Sequence, residues 1–237
     1  MSDNVYRGFE DRFRGSIDEI REKQRVFVPL FSGASDILDI GCGRGEFLSL
    51  LKEHRISGRG IDTNAEMIAG ARERGLNVVQ ADALEYLKSL PDGSLGGAIA
   101  SQVIEHLQPP YLLALLPVIL KKLRPHAPLV LETINPACWL AFFSSYLRDY
   151  THKWPVHPET LKYLLEAIGF ARVEIKYTEQ APDAVRMRAV DPASLTGLDA
   201  ATSKALTALA NAYNANASIL NSLLFTYMDY AAIGYRG

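Results

Sequence analysis

From residue 36 onward the chain alternates short apolar, β-favouring runs with stretches whose apolar positions recur every three to four residues. The runs are DILDI (36–40), GRGID (58–62), NVVQA (77–81), GGAIAS (96–101), PLVLETI (128–134) and ARVEIKYT (171–178), each predicted as a strand. Between most of them EFLSLLKEH, AEMIAGARERG, LEYLKSL, YLLALLPVILKKL and PETLKYLLEAIG read as helices. Gly75 and Gly169 stand where glycine ends a helix, and the Asp92–Gly93 turn precedes the fourth strand. This alternation predicts an α/β domain on a mainly parallel sheet with helices on both faces.

Two flanks extend the pattern. Val5, Phe9, Phe13, Ile17, Ile20 and Val26 recur at helical spacings, predicting an N-terminal helical cap over residues 1–30 that lies across the domain formed by residues 31–237. Near the other end, Asp199 is placed to cap a helix bearing Leu206, Leu209, Tyr213 and Leu220 on one face. That helix makes an insertion over about 183–222 before a last strand, FTYMDYAAIGY, which would close a seven-stranded sheet. It can pack internally or pair with a second subunit, so a homodimer is compatible with the sequence.

Composition narrows the function classes. The 25 Lys and Arg nearly balance the 27 Asp and Glu over 237 residues, giving no electrostatic footprint for nucleic acid or an anionic membrane. Two cysteines, Cys42 and Cys138, are too few for a disulfide framework, and the charged N-terminus has no signal-peptide core. The longest apolar run, YLLALLPVIL, is about half of what a membrane helix needs. A cytoplasmic protein without a membrane span is expected.

Glycines 41, 43 and 45 follow a strand and open a helix, placing exposed backbone N–H groups at the sheet's C-terminal edge. A dinucleotide turn starting at Gly41 would need glycine at 46, where this chain has Glu46, and Asp39 would repel a pyrophosphate while suiting a cationic ligand. Asp62 ends the second strand, where an acid can accept hydrogen bonds from ribose hydroxyls. Asp82 follows the third, where it and the Ala83 backbone can meet an adenine. Acids at the ends of three consecutive strands point to a phosphate-free nucleoside.

ILDIGCGRGEF, GIDTNAEM, QADALEYL and GGAIASQVIEHL together, in this order and spacing over residues 36–134, resemble the class I S-adenosylmethionine-dependent methyltransferases. The resemblance implies a Rossmann-like fold, S-adenosyl-L-methionine as cofactor and S-adenosyl-L-homocysteine as product. It implies that Gly41, Cys42 and Gly43 form the turn the cofactor approaches, that Asp39 orders its methionine ammonium group and that Asp62 holds its ribose. Met67 with Thr63 or Asn64 would border the adenine, Asp82 and Ala83 would lie at its edge, and Ser101 and Gln102 would line the methionine side. The flanking YRGFEDRFRGS, SSYLRDYTHKWPVHPETL and LLFTYMDYAAIGYR are similar to a bacterial polysaccharide- and sugar-tailoring subgroup, sometimes fused to glycosyltransferases. That likeness implies a saccharide acceptor and a glycosyltransferase partner. The departure is Tyr150, which stands where the subgroup usually has proline.

Methyl transfer to an alcohol needs alignment and a base near the hydroxyl. Of five histidines, His106 and His152 fall in segments expected at the catalytic edge, with Asp149 placed to orient His152. Arg14 is the preferred guanidinium for the methionine carboxylate. Glu105 and His106 resemble a metal-binding pair of methyltransferases acting on catechol-like substrates, but Gln102 stands where a further acid is usual; a divalent metal is therefore not favoured, although His152 or Asp149 could supplement the pair. The favoured reading is O-methylation of a sugar hydroxyl. Its rivals are a phenolic or carboxylate acceptor, or a cofactor-binding module without catalysis.

Overall fold

The computed structural model describes residues 8, 12–13, 15–194 and 196–237; Val5, Phe9 and Arg14 lie outside them. Seven strands form one sheet: β1 (Ile37–Ile40), β2 (Gly58–Asp62), β3 (Val78–Gln80), β4 (Gly97–Ser101), β5 (Pro128–Ile134), β6 (Phe170–Gln180) and β7 (Tyr227–Arg236). Their order is β3-β2-β1-β4-β5-β7-β6. The first five pair in parallel, whereas β7 runs antiparallel to both β5 and β6. The sheet is therefore mixed, and the last strand inserts between β5 and β6 instead of closing an edge.

Alternation along the strands feeds two cores. Ile37, Ile99, Val130 and Ile233 point to one face, against the 3₁₀ turn (Arg25–Phe31) that follows α1 (Ile17–Gln24), and against α2 (Glu46–Glu53) and α3 (Ala65–Glu73). Leu38, Ala98, Leu129 and Leu131 point to the other, against α4 (Ala83–Ser89), α5 (Pro109–Lys122) and α7 (Pro158–Ile168). Between β5 and α7 lie a helical turn α6 (Trp139–Ala141) and a π-helical turn (Phe142–Tyr146).

Of the cap expected over residues 1–30, the described segment from Ser16 packs on the sheet and is part of the core. Ser16 caps α1 in a reciprocal box with Glu19, and Phe27 and Phe31 are buried under the sheet. Phe31 meets Phe47 edge-to-face at 5.6 Å. Asp199 caps α8 (Ala200–Leu224) by accepting N–H bonds from Ala201 and Thr202. Only Ala210 and Ala217 of α8 are buried. No helix among the described residues is long and apolar enough to cross a membrane.

Candidate active site

A cavity of about 860 Å³ opens where β1 to β4 end. Gly41 has φ +67°, and a Cβ built on it would lie 2.5 Å from Val103 Cγ2, so only glycine fits the turn. Asp62 accepts the N–H groups of Gly43 (2.9 Å) and Asn64 (2.8 Å), tying the glycine turn to the loop after β2. Asn64 in turn caps α3 through the N–H groups of Glu66 and Met67. Asp82 caps α4 by accepting from Glu85 N–H at 3.0 Å and also accepts the Tyr111 hydroxyl at 2.7 Å. The Tyr111 oxygen accepts Leu84 N–H at 3.1 Å. Burial would raise Asp82, but these hydrogen bonds outweigh it and hold the carboxyl below its ordinary range.

A second cavity, about 500 Å³, shares Gln102 and His106 with the first. Ser101 and Glu132 face each other across the β4–β5 register. The Ser101 hydroxyl donates to Glu132 and accepts from the Gln24 amide at 3.1 Å. Gln102, a non-glycine residue at φ +56°, donates its backbone N–H to the Glu132 carbonyl (2.8 Å) and its side-chain amide to the Glu132 carboxylate (2.9 Å). Two further acids, Glu179 and Asp229, line the same space, with Lys23 bonded to Glu179 at 2.5 Å. Burial, then the charges of Glu132 and Glu179, push Asp229 well above the usual carboxylate range, so it retains a proton that the Glu179 contact shares.

At the junction stands a cluster of imidazoles and carboxylates. The segment after β5 folds back because Lys153 and Trp154 donate their backbone N–H groups to the Glu105 carbonyl, and the Tyr230 hydroxyl donates to the Val156 carbonyl. This sets the His106 and His152 rings 4.7 Å apart. His152 Nδ1 lies 2.7 Å from the Tyr146 carbonyl, which can only accept, so Nδ1 carries the proton. The Thr151 hydroxyl donates to Asp149 at 2.6 Å, so its 2.9 Å contact with His106 Nδ1 makes that nitrogen a donor as well. Tautomers assigned from this network put the lone pair of each ring, in its uncharged form, on Nε2. His152 Nε2 is 3.8 Å from Asp149 Oδ2.

Gly41, Gly43, Asp62, Thr63, Asn64, Met67, Asp82, Ala83 and Gln102, all assigned to the cofactor from the sequence, line the first cavity. Three further residues assigned to the cofactor lie off that wall, and a fourth is not described. Asp39 is buried beneath the glycine turn and is absent from either cavity wall. Cys42 points into the core, packed against Gly60, where burial first and then the Asp39 charge push its thiol far up. Ser101 faces the second cavity instead of the first. Arg14 lies outside the described residues. His152 and Asp149 line the second cavity, and Glu105 is buried next to both histidines. His157 caps α7 by accepting from Glu159 N–H. Sequence reasoning missed Tyr111, Glu132, Glu179 and Asp229; for Glu132 the available signal was a carboxylate near the end of an otherwise apolar strand.

The aromatic stretch after β5 divides. Tyr146 is buried and stacks on Phe142 at 5.3 Å, whereas Trp139, Phe143, Tyr150 and Trp154 are exposed.

Comparison with known proteins gives a consistent picture. Residues 10–175 match the model of a methyltransferase-domain family. An Archaeoglobus fulgidus structure described as a SAM-dependent methyltransferase is 39% identical, with a TM-score of 0.87, over 97% of this chain and 99% of that one. A Haemonchus contortus phosphoethanolamine N-methyltransferase 2 in complex with S-adenosyl-L-methionine shares the fold at 15% identity, with a TM-score of 0.59, over 98% of this chain and 60% of that one. A trans-aconitate 2-methyltransferase of Paracidovorax citrulli is 42% identical over 82 residues, a segment spanning 33% of this chain and 30% of that relative.

Proposed function

The chain belongs to the methyltransferase-domain family and uses S-adenosylmethionine, and from that premise we propose that it O-methylates a sugar hydroxyl held in the second cavity. The first cavity fits the cofactor on its own terms: its glycine turn leaves no room for a Cβ, and the acids at the ends of β2 and β3 suit ribose and adenine. Bound there, S-adenosylmethionine supplies a methyl group on a cationic sulfur that leaves as a neutral thioether. The Asp62 carboxylate would hold the ribose hydroxyls, and Asp82, oriented by Tyr111, would meet the adenine edge.

The observation that carries the acceptor reading is the meeting of the two cavities at Gln102 and His106, with Glu132, Glu179 and Asp229 around the second. Carboxylates and a retained acid proton recognise polyols by accepting and donating hydrogen bonds, while Phe27 and Ile134 offer apolar wall to a sugar ring. The same acids disfavour a polycarboxylate such as the trans-aconitate named for the Paracidovorax relative. In the transfer, a lone pair of the acceptor oxygen forms the C–O bond as the C–S pair passes to sulfur. The hydroxyl proton leaves on the side of His106, His152 and Asp149.

Release of S-adenosylhomocysteine, measured against saccharides, nucleotide-linked sugars, phenols and polycarboxylates, tests this assignment. Turnover confined to hydroxylated saccharides is expected, and turnover on phenols or polycarboxylates alone refutes it. His106→Ala and His152→Ala should each slow transfer while changing S-adenosylmethionine affinity less than about threefold, since both act beyond the cofactor's ribose and adenine contacts; unchanged rates in both would remove the cluster from the reaction.

A further inference from the structure

We propose that Glu105, His106 and His152 form a binding site for a divalent transition-metal ion at the junction of the two cavities. One ligand atom from each residue lies within 4.8 Å of the other two. The centre of a triangle of that size is about 2.8 Å from each corner, so shifts of under about 1 Å bring all three to bonding distance for such an ion.

The surroundings supply what metal-ligating histidines need. Each ring must be neutral, carry its proton on the nitrogen away from the ion, and be held in orientation by an acceptor on that nitrogen. His152 meets this through the Tyr146 carbonyl, and His106 meets it through Thr151, itself anchored on Asp149. Glu105 is 1% exposed and lies beside both histidines. The Tyr146 hydroxyl is buried with no hydrogen-bond partner among the described residues, as expected of a group that lends its proton or lone pair to an ion's further ligand. Two imidazoles and one carboxylate select Zn²⁺, Mn²⁺, Fe²⁺ or Co²⁺ over Mg²⁺ and Ca²⁺, which prefer all-oxygen sites.

The site deepens the acceptor reading and rests on it for its role. With three protein ligands, a bound ion would leave positions open to the acceptor and would acidify the hydroxyl aimed at the methyl group. Asp149 would take that hydroxyl's proton as the oxygen bonds to carbon and the C–S pair goes to sulfur. No oxidation change occurs.

The test is titration of the metal-stripped protein with Co²⁺, read by its visible absorption and by calorimetry, without acceptor. One Co²⁺ per chain is expected, bound at least tenfold more weakly by Glu105→Gln and His152→Ala, and displaced by Zn²⁺. Thr151→Val, which leaves all three ligands in place but releases His106, should weaken Co²⁺ binding severalfold. Absence of binding, equal binding by the ligand variants, or tighter binding of Mg²⁺ than of Co²⁺ overturns the site. Because no acceptor is present, a bound metal with no saccharide turnover refutes the sugar assignment alone, and saccharide turnover unaffected by metal removal refutes the metal alone.

Discussion

Replacing Gly41 by alanine probes the turn on which the cofactor cavity depends. At φ +67° a non-glycine residue costs about 1–2 kcal/mol. The added Cβ would lie 2.5 Å from Val103 Cγ2 and 3.3 Å from Cγ1, so Val103 must retreat by nearly an ångström at a further cost of about 1–3 kcal/mol. The total of about 2–5 kcal/mol corresponds, for a domain of this size, to a fall of roughly 4–20 °C in Tm. Gly70, inside α3 and with nothing within 4 Å of a built Cβ, serves as the control. Gly70→Ala should stabilise by about 0.5–1 kcal/mol. Thermal unfolding checks both, and adding Val103→Ala to Gly41→Ala separates the two costs, because the double variant relieves the clash but retains the backbone strain. A favourable coupling of about 1–2 kcal/mol between the substitutions is expected. A Gly41→Ala protein melting within 2 °C of its parent, or strictly additive effects, would refute the close approach of Val103.

Two other substitutions address the cavities. Tyr111→Phe removes the hydroxyl that accepts from Leu84 N–H and donates to Asp82; a loss of about 1–2 kcal/mol should weaken S-adenosylhomocysteine binding about 5- to 30-fold by calorimetry, and affinity within twofold of the parent would contradict its positioning role. Asp229 is raised well above its ordinary pKa by burial and by Glu132 and Glu179, with Lys23 opposing. Between the ordinary value and the raised one, increasing pH ionises the unfolded chain first, so stability present at low pH is lost as pH rises. Asp229→Asn abolishes that loss, and its Tm relative to the parent should climb as pH rises above the ordinary carboxylate range; a pH-independent difference would contradict the retained proton.

The two cavities differ in how much of them a sequence discloses. Asp62 and Asp82 sit at strand ends next to short turns, so their neighbours along the chain nearly determine where they go. Cys42 shares that turn, yet its side chain points to the core, because a turn of left-handed glycines does not keep strand alternation. The second cavity draws Gln24, Ser101, Glu132, Glu179 and Asp229 from five separate elements or their ends. They converge through register, Ser101 opposite Glu132 and Asp229 opposite both Ile134 and Thr178. That register depends on β7 entering between β5 and β6, a strand order that hydrophobic periodicity does not encode.

Tyr150 shows why the histidine after it keeps its place without the proline expected there. A proline would bend the chain by fixing one backbone angle. Here Asp149 makes the bend instead: its Oδ1 accepts Thr151 N–H at 2.8 Å, and its carbonyl accepts His152 N–H at 3.1 Å. The same carboxylate accepts the Thr151 hydroxyl that orients His106. One acid therefore shapes the turn that presents His152 and anchors the contact that fixes the tautomer of His106. The exposed Tyr150 side chain contributes to neither bond, so the geometry at the junction of the cavities follows from Asp149 and from the backbone bonds to the Glu105 carbonyl.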